Sequence, residues 1–424
     1  MNNKNLKELI KSKGIGKSMS KSLQNNDFQC IENILQNNNP NDEIGLATLF
    51  TALLMLPRTP IEENFFQKLQ NKKNLPKQLT AIIHQDQNLL PDYLYCLLQH
   101  QNLNKKQIHD GLNDLITSSF PAPLKAAFLE GLRLKEESPL ENQESLIFFY
   151  RNTKRISIEQ NLLIDFANPY DGFKRFDPVQ LFTSLVLASN HLPCIFHGNE
   201  NQGPKFGITI QKLLKAAQKK HTYSLKEAKS DLENPLKNWA YLEQNTFNKD
   251  LHQLLSLRTA MVKRPLLATI EKFLSPVIAK KNLLITGYTH PAYRHKSIQL
   301  LQALPHHPDF ILIRGQEGSS QAPLDRRSPC ISFNANNNIE EGFVKAEDFE
   351  LTSEKSIKSK EINIDFILDE GQKFLNNKTS KLGSAILYQC HIILKKCGYS
   401  ISESQALIQD SLKNKKALSL WQTL

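Results

Sequence analysis

Hydrophobic positions are spaced differently in the two parts of the chain. Up to about residue 155, apolar residues form compact runs of helical length, such as IGLATLFTALLML and LKAAFLEGLRL, separated by Pro and Asn clusters. Runs of this length predict α-helices, some of them buried on most sides. We therefore predict a helical domain over residues 1–155.

An internal repeat lies within this helical part. Residues 48–62, TLFTALLMLPRTPIE, align without gaps on residues 127–141, AFLEGLRLKEESPLE. The preceding segments also correspond, so the two copies cover 27–65 and 107–145. The pattern predicts a duplicated or enlarged helical unit with extra helical material at 66–105. A chance match between two amphipathic helices is the alternative.

Each copy ends with the same start signal for a further helix. Thr59 and Ser138 suit N-caps, a proline follows each of them, and Glu62 and Glu141 complete capping boxes.

After Arg155 the pattern changes to short apolar runs separated mostly by helical segments. Runs typical of strands cover 161–167, 193–198, 282–289, 309–315 and 329–334. Continuous apolar strands that alternate with helices predict a mostly parallel sheet covered on both faces. The expected fold class is thus all-α plus α/β, with the α/β domain at 156–424 ending in helices.

Ligands of such sheets bind beyond the carboxyl ends of the strands. Four loops therefore matter most: 168–177, 197–207, 287–293 and 315–327. The first, NPYDGFKRFD, leads into a helix that is predicted to start at Asp177-Pro178. With Lys174 and Arg175 nearby, its end suits an anion, although an ordinary strand–turn–helix connection fits equally well.

The second loop contains Gly198, Asn199 and Lys205 after a strand that ends at His197. We expect His197 to be a hydrogen-bonded strand-end residue and not a catalytic base. The next helix has lysines spaced by three and four residues, which places them on one face. This row could follow a phosphate backbone or be a solvated helix face; it consists of Lys212, Lys215 and Lys219.

Further basic and aromatic residues follow. Arg258, Lys263 and Arg264 precede a helix. The segment GYTHPAYRHK then places aromatic and basic groups together at a strand end, which suits base stacking with phosphate contacts or a small aromatic substrate. Its members are Tyr288, His290, Tyr293 and Arg294. Glu317, in the last loop, lacks the second carboxylate that a Mg²⁺–pyrophosphate site would need.

The net charge of the chain bears most directly on the kind of partner it would bind. The formal net charge is +11 and the isoelectric point is about 9.2. Residues 205–264 contain twelve Lys/Arg against five Asp/Glu, and residues 1–25 contain six Lys and one Glu. This balance favours polyanionic partners, although a generally Lys- and Asn-rich composition would also produce it.

Other classes of protein are disfavoured. No apolar run is long enough for a membrane span, and the basic N-terminus lacks the apolar core of a signal peptide. The six cysteines have no metal-ligand spacing. We expect a cytoplasmic protein with no membrane association and no metal site.

The helical start, the His197-Gly198-Asn199 loop and the final helices with KNKKALSLWQTL resemble anthranilate phosphoribosyltransferase. That family belongs to glycosyltransferase family 3 and is related to the pyrimidine nucleoside phosphorylases. The resemblance covers nearly the whole chain apart from about 66–105. It implies a helical domain beside an α/β domain, and a homodimer formed through the helical part.

The family's catalytic motifs are mostly absent. NPYDG stands where the resemblance implies a glycine-rich pyrophosphate loop, and Glu200 follows Asn199 where the family has Arg. Ser320-Gln321 stands where paired acids would bind Mg²⁺. These losses imply no cofactor and make ordinary anthranilate phosphoribosyl transfer unexpected. Mg²⁺ would be needed only if transferase activity is retained.

The segments PYDG, GPKFG, KRPLLATIEKFLSP, GYTHP and RGQEGS resemble a divergent branch of this family that lacks the transferase signature. That branch includes homodimers that bind nucleic acid without sequence preference along a basic groove. We therefore predict such a groove in this chain. Its expected members are Lys174, Arg175, His197, Gly198, Asn199, Lys205, Lys212, Lys215, Lys219, Arg258, Lys263, Arg264, Tyr288, His290 and Arg294.

Two alternatives remain open. One is an enzyme that uses phosphoribosyl pyrophosphate with an unidentified acceptor, for example an aromatic one. The other is a small-molecule sensor or structural partner. No catalytic residue is assigned from the sequence.

Overall fold

The computed structural model describes residues 5–13, 20–333, 339–353 and 362–424. The chain forms two compact units. Unit 1 is Met1–Arg151 with Asp250–Ile270, and unit 2 is Asn152–Lys249 with Glu271–Leu424. The stretch 250–270, which the sequence pattern groups with the α/β part, therefore packs with the helices of unit 1.

The helices, in chain order, are α1 (Leu6–Lys13), α2 (Asn25–Asn37), α3 (Glu43–Met55), α4 (Pro60–Gln70), α5 (Lys77–His84), α6 (Asp92–Leu98), α7 (Lys105–Ile116), α8 (Ala122–Lys135), α9 (Pro139–Arg151), α10 (Gln180–Ala188), α11 (Ile210–Ala216), α12 (Leu225–Glu233), α13 (Gln244–Phe247), α14 (Lys249–His252), α15 (Leu255–Met261), α16 (Leu267–Ile270), α17 (Pro291–Gln302), α18 (Ile364–Leu375), α19 (Gly383–Lys396), α20 (Ile401–Lys413) and α21 (Lys416–Thr423).

The strands are β1 (Ile156–Ser157), β2 (Leu163–Phe166), β3 (Cys194–Gly198), β4 (Trp239–Glu243), β5 (Val277–Ile278), β6 (Asn282–Gly287), β7 (Asp309–Ile313), β8 (Ser328–Phe333) and β9 (Ile339–Val344). Short 3₁₀ turns lie at Pro40–Asp42, Glu271–Phe273, Gln316–Gly318 and Ala346–Phe349. None of the helices in the described ranges combines the length and apolar character that a bilayer span requires.

Helices α3 and α8 form the centre of unit 1. Both are buried along nearly their whole length, and they pack against each other. Helices that are buried on nearly all sides must be enclosed by other elements. Here α1, α5 and α15 pack on α3, and α6 packs on α8.

The two repeated segments form equivalent triplets, α2–α3–α4 and α7–α8–α9. In the first copy the backbone N–H of Glu62 donates to Thr59 Oγ1 (3.3 Å), and the Thr59 N–H donates to Glu62 Oε2 (2.9 Å). Ser138 and Glu141 make the same reciprocal pair at 3.2 and 2.6 Å. Both predicted capping boxes are confirmed, and α5 and α6 lie in the inserted region.

The sheet of unit 2 has the strand order β4-β3-β2-β6-β7-β8-β9. The strands from β4 to β7 are parallel to their neighbours, whereas β8 and β9 are antiparallel. All five predicted strands are present, and the predicted fold class is confirmed. A separate parallel pair joins β1 to β5.

The order of the strands locates the crevice where a ligand would bind. From β2 the chain adds β3 and β4 on one side, and it then returns to place β6 and β7 on the other side. The strand order thus reverses between β2 and β6, and the carboxyl ends at such a point usually border a ligand site. Loops 168–177 and 287–293 leave from these two strands.

Candidate functional site

The loop after β2 holds an anionic group that belongs to the chain itself. Three consecutive backbone N–H groups donate to Glu317 Oε1, those of Lys174 (3.0 Å), Arg175 (2.8 Å) and Phe176 (3.2 Å). The side chains of Lys174 and Arg175 are exposed. An anion therefore does lie at this loop, as the sequence suggests, and it is a carboxylate from the loop after β7.

Lys205 connects three of the four strand-end loops. Its ammonium group lies 3.1 Å from Glu317 Oε2 and 3.5 Å from Asp171 Oδ1. Burial by itself would raise the pKa of Glu317, but the charge of Lys205 and the amides of Arg175 and Lys174 hold that pKa below its ordinary value. The carboxylate is therefore charged and fully engaged at neutral pH.

The loops after β2 and β3 are also joined through their backbones. Phe173 and Ile208 exchange two N–H···O bonds of 2.9 and 2.6 Å, and Gly207 N–H donates to Asp171 O at 2.9 Å. A Cβ atom on Gly207 would lie 2.3 Å from Phe173 O. Glycine is thus required for the close approach of the two loops.

His197 lies inside a buried hydrogen-bonded network. Its Nε2 is 3.0 Å from Asp165 Oδ1, and its Nδ1 bonds to the Tyr170 hydroxyl, which also contacts Glu271 O at 3.0 Å. Asp165, His197 and Tyr170 are 0%, 4% and 3% exposed. With both ring nitrogens engaged, His197 is the hydrogen-bonded strand-end histidine that the sequence predicts. It has no ring nitrogen left for a phosphate in this arrangement.

The Asn199 side chain is also buried and hydrogen-bonded to other side chains. It is 2% exposed, and its Nδ2 donates to Gln202 Oε1 and Gln244 Oε1, both at 2.8 Å. Gly198 ends β3 and is buried. The His197-Gly198-Asn199 segment therefore contacts neighbouring loops from inside the protein.

A small pocket adjoins this network. It is lined by Gly172, Gly198 and Tyr241 among others, and by Asn168. Asn168 is 7% exposed, and neither polar atom of its amide has a hydrogen-bond partner among the described residues. A buried amide in this position is suited to bind a polar group of a small ligand.

The lysine row does not form an open strip. Helix α11 ends at Ala216, so Lys219 lies beyond it. Lys212 Nζ donates to Phe206 O (3.1 Å) and Gly207 O (2.8 Å), and Lys215 pairs with Glu200 at 3.0 Å. Lys219 Nζ donates to Gln422 O (3.2 Å) and lies 5.2 Å from the Trp421 ring centroid. Each ammonium group is therefore used within unit 2.

The three basic residues before α16 belong to unit 1. Arg258 is 1% exposed and Lys263 is 5% exposed, whereas Arg264 is exposed. Lys263 donates to Ile10 O, and its burial lowers its pKa against the opposing effect of Glu130. Arg258 and Lys263 thus have no exposed group for the phosphate contacts predicted for them.

Exposed aromatic and basic side chains come together where α17 begins beside β7, β8 and β9. Tyr293 is 47% exposed and Phe343 is 57% exposed, and the Arg327 guanidinium lies 4.6 Å from the Phe343 ring centroid. Arg294 pairs with Glu341. We call this the arginine–aromatic surface, defined by Tyr293, Arg294, Arg314, Arg327 and Phe343.

Strand register explains why Arg314, Phe343 and Glu341 share a face. Arg314 N–H donates to Pro329 O (3.0 Å), and Pro329 is paired with Phe343. Residues opposite each other across strands point to the same face, as do residues two apart along one strand. Glu341 therefore shares the face of Phe343, and its ion pair brings Arg294 there.

The neighbouring predicted residues have different positions. His290 is exposed and stands immediately before α17. Tyr288 is 4% exposed; burial raises its pKa, while nearby Arg294 and Arg314 lower it. Tyr288 is therefore buried near Arg294 and Arg314, and its ring is not exposed to stack on a base. Arg314 and Phe343 were not predicted, because they are far apart in sequence and meet only through the sheet.

The residues at the expected magnesium position do not fit a magnesium ion. Ser320 is 0% exposed and Gln321 is 4% exposed. The Gln321 amide accepts from Val179 N–H (3.0 Å) and donates to Asp177 O (2.9 Å). The Gln321 side chain thus fixes the backbone of residues 177–179, which lead into α10. Among the described residues, no cluster of three or more His, Cys, Asp or Glu could hold a metal ion.

Comparison with known proteins supports the fold. No family model matches the chain. An uncharacterized protein of Aquifex aeolicus (strain VF5) is 24% identical over 230 residues, which are 53% of this chain and 67% of that protein.

Solved structures resemble the chain over most of its length. The anthranilate phosphoribosyltransferase of Thermus thermophilus has a TM-score of 0.63 and 15% identity, covering 78% of this chain and 98% of its own. The Saccharomyces cerevisiae enzyme, in complex with PRPP and Mg, has a TM-score of 0.65 and 13% identity, covering 80% and 98%. At this identity the likeness shows a shared fold and not a shared reaction.

Proposed function

We propose that this protein binds nucleic acid without sequence preference through the arginine–aromatic surface of unit 2. The observation that carries the proposal is the exposed Phe343 ring beside three guanidinium groups, with the exposed ring of Tyr293 next to Arg294 in α17. Aromatic rings can stack on any of the bases, and arginines bind backbone phosphates whatever the base sequence. Together these groups would give affinity for nucleic acid without recognising particular bases.

Internal pairing of Lys212 and Lys219 favours this surface over the lysine row, and of the surface's three arginines only Arg314 donates to a backbone oxygen, Thr289 O (3.2 Å), among the described residues. Lys212 and Lys219 would have to give up backbone contacts within unit 2 before binding a phosphate, whereas Lys215 makes an exposed ion pair with Glu200. Arg294 would exchange one exposed partner, since the Glu341 side chain is 59% exposed. Exposed ion pairs are worth little in water, so a phosphate could replace Glu341 at small cost.

Self-association is part of the same proposal. A homodimer, as the resemblance implies, would present the arginine–aromatic surface twice and bind longer strands more tightly than short ones. Sedimentation of the free protein tests the dimer separately from binding.

The aromatic contribution can be tested with one substitution. Phe343→Ala should weaken binding of a labelled single-stranded oligonucleotide by about 1–3 kcal/mol, the usual effect of losing one stacked base. Fluorescence anisotropy measures it. Phe206→Ala is the matched control, because Phe206 is an aromatic residue of the same unit that is 47% exposed and lies outside the surface. Equal losses in both variants would count against the proposal.

A second candidate function is glycosyl transfer from phosphoribosyl pyrophosphate. The pocket next to His197 favours it, because the buried Asn168 amide could bind a ligand's polar group. Its weakness is that Ser320 and Gln321, which stand where the resemblance implies the Mg²⁺-binding acids, are both uncharged.

One paired experiment separates the two functions. Single- and double-stranded oligonucleotides of mixed sequence are titrated at low and high salt, and phosphoribosyl pyrophosphate with Mg²⁺ is titrated by calorimetry. We expect salt-sensitive oligonucleotide binding and no heat of binding from the sugar pyrophosphate. The reverse result would support the transferase and reject nucleic-acid binding.

A further inference from the structure

Strand β9 ends the sheet of unit 2 and has an unpaired side. It has a single neighbour, β8, in the strand order, and its first five residues, 339–343, are exposed. Among the described residues, no backbone segment other than β8 forms a bridge with β9. An edge of this kind is a ready template for a strand from another chain.

Strand register shows which backbone groups of β9 face outward. Arg314 N–H donates to Pro329 O, so the backbone groups of Pro329 face β7. Backbone groups alternate in direction along a strand, so those of Cys330 face β9, and those of its partner Gly342 face β8. The residues on either side of Gly342, and every second residue from them, therefore direct their N–H and C=O groups away from the sheet. These residues are Ile339, Glu341 and Phe343.

The sequence of β9 is complementary to a second copy of itself. An antiparallel pair with a two-fold axis at Glu341 sets Ile339 opposite Phe343 of the second copy, and this contact occurs twice. Their side chains are 41% and 57% exposed, so the pairing would cover two apolar groups on each chain. On the opposite face, Glu340 would lie opposite Gly342, where it meets no second acid. A foreign strand could use the same backbone groups, but β9 itself supplies this match of side chains.

The like charges at the centre of such a pair are compensated. Two Glu341 side chains would meet there, and each already has the Arg294 guanidinium of its own chain as its partner. The two ion pairs together carry no net charge, and contacts between opposite charges across strands are favourable. The centre of the pair would thus be neutral, with an apolar contact on each side of it.

We propose that β9 is a self-association edge through which two copies of this chain pair as antiparallel strands centred on Glu341. This inference deepens the proposed function, because it names the contact for the self-association included there. The pairing places both arginine–aromatic surfaces on the same face of one continuous sheet, since residues opposite each other across strands share a face. A single nucleic-acid strand can then contact both surfaces.

A cysteine at the centre of the pair tests the register in the absence of nucleic acid. Hydrogen-bonded residues of antiparallel strands lie about 5.5 Å apart at Cα, which is within the range of a disulfide. Under mild oxidation, Glu341→Cys should therefore form a covalent dimer in several-fold greater yield than Glu340→Cys. The second variant is the matched control, because it loses the same charge from the neighbouring exposed position and lies opposite Gly342. The wild-type chain, oxidised in parallel, corrects for the six native cysteines.

The outward N–H of Glu341 provides a second test. Glu341→Pro removes this donor, and an edge strand tolerates proline where the N–H faces solvent, so the variant should keep the Tm of the wild type. Sedimentation over a concentration series should show self-association weakened by about tenfold or more, because two hydrogen bonds between the copies are lost. Glu341→Ala is the control, since it removes the same carboxylate and keeps the N–H, and it should associate like the wild type.

Three results would overturn the proposal. The first is a wild-type chain that stays monomeric at every concentration. The second is a dimer that Glu341→Pro leaves unchanged, because its contact must then lie elsewhere. The third is an equal yield of covalent dimer from Glu341→Cys and Glu340→Cys, and this comparison decides alone if Glu341→Pro does not fold. Failure of the wild type to bind oligonucleotides would reject the proposed function only, because neither test contains nucleic acid.

Discussion

Two buried glutamates have the same role in the two copies of the repeat. Glu62 Oε1 accepts from Lys13 Nζ (2.8 Å) and Leu23 N–H (2.9 Å). Glu141 accepts from Lys135 Nζ (2.7 Å) and Leu103 N–H (2.9 Å). The lysine comes from α1 in one copy and from the end of α8 in the other. In both copies a buried lysine thus pairs with this glutamate, although the lysine comes from a different element.

Removing one of these ammonium groups should be costly. Lys135→Ala leaves the Glu141 carboxylate, 0% exposed, without its counter-charge, and breaking a buried pair typically costs about 3–5 kcal/mol. Denaturant unfolding measures the loss. Lys106→Ala is the control, because that side chain is 87% exposed and should change stability by less than about 0.5 kcal/mol. Similar values for both variants would contradict the role of the buried pair.

Asp177 should make stability depend on pH. It is 4% exposed, neither carboxylate oxygen has a hydrogen-bond partner among the described residues, and burial raises its pKa from 3.8 to about 6. The folded protein therefore holds the Asp177 proton more tightly than the unfolded chain does. This contribution to stability is present below pH 3.8 and is lost as pH rises through about 6.

Asp177→Asn removes this dependence. The variant should unfold at a higher denaturant concentration than the wild type above about pH 6, and the difference should shrink as the pH falls toward 3.8. Urea titrations across that range measure it. A constant difference at every pH would show that the Asp177 proton is not responsible.

Residue-level features could be predicted where they are local. The capping pairs Thr59/Glu62 and Ser138/Glu141 are three residues apart, and the sequence shows them directly. The bond from Arg175 N–H to Glu317 spans 142 residues. No local sequence pattern reveals such a contact. The sequence could therefore suggest that the loop at 168–177 suits an anion, but not that the anion is the Glu317 carboxylate.

At the scale of elements, the junction between the loops after β2 and β3 depends on backbone contact. Gly207→Ala should destabilise unit 2 by several kcal/mol, because a methyl group 2.3 Å from Phe173 O must displace backbone. Gly342→Ala is the control, since a Cβ there meets nothing within 4 Å. Thermal unfolding compares the two. An unchanged Tm for Gly207→Ala would mean that the two loops are not held together in solution.

Some elements were not predicted from the sequence, and a physical reason can be given for each. Strand β4 lies within a Lys-rich stretch whose charge hides the short apolar run WAYL. Strand β9, IEEGFV, is exposed at most positions, because it is an edge strand with one neighbour. Helix α11 ends early without a glycine or proline, and Gln218 then adopts a φ of 55°. Tertiary packing decides each of these cases.

At the scale of the whole molecule, periodicity was enough to predict a helical unit and an α/β unit. The assignment of 250–270 to unit 1 was not predictable, because those residues continue the chain of unit 2 and differ from it only in their contacts. The arginine–aromatic surface was not predictable for the same reason. Its members come from α17, β9 and two loops, and their proximity depends on strand order.

The salt dependence of oligonucleotide binding tests the proposed function most directly. We compare the wild type with Arg314→Ala/Arg327→Ala and with Lys212→Ala/Lys215→Ala, each of which removes two positive charges. For single strands, each lost phosphate contact should reduce the slope of log K against log salt by about 0.7. We predict a reduction of about 1.4 for the arginine pair and little change for the lysine pair. A flattened slope in the lysine variant alone, or no binding by the wild type, would contradict the proposal.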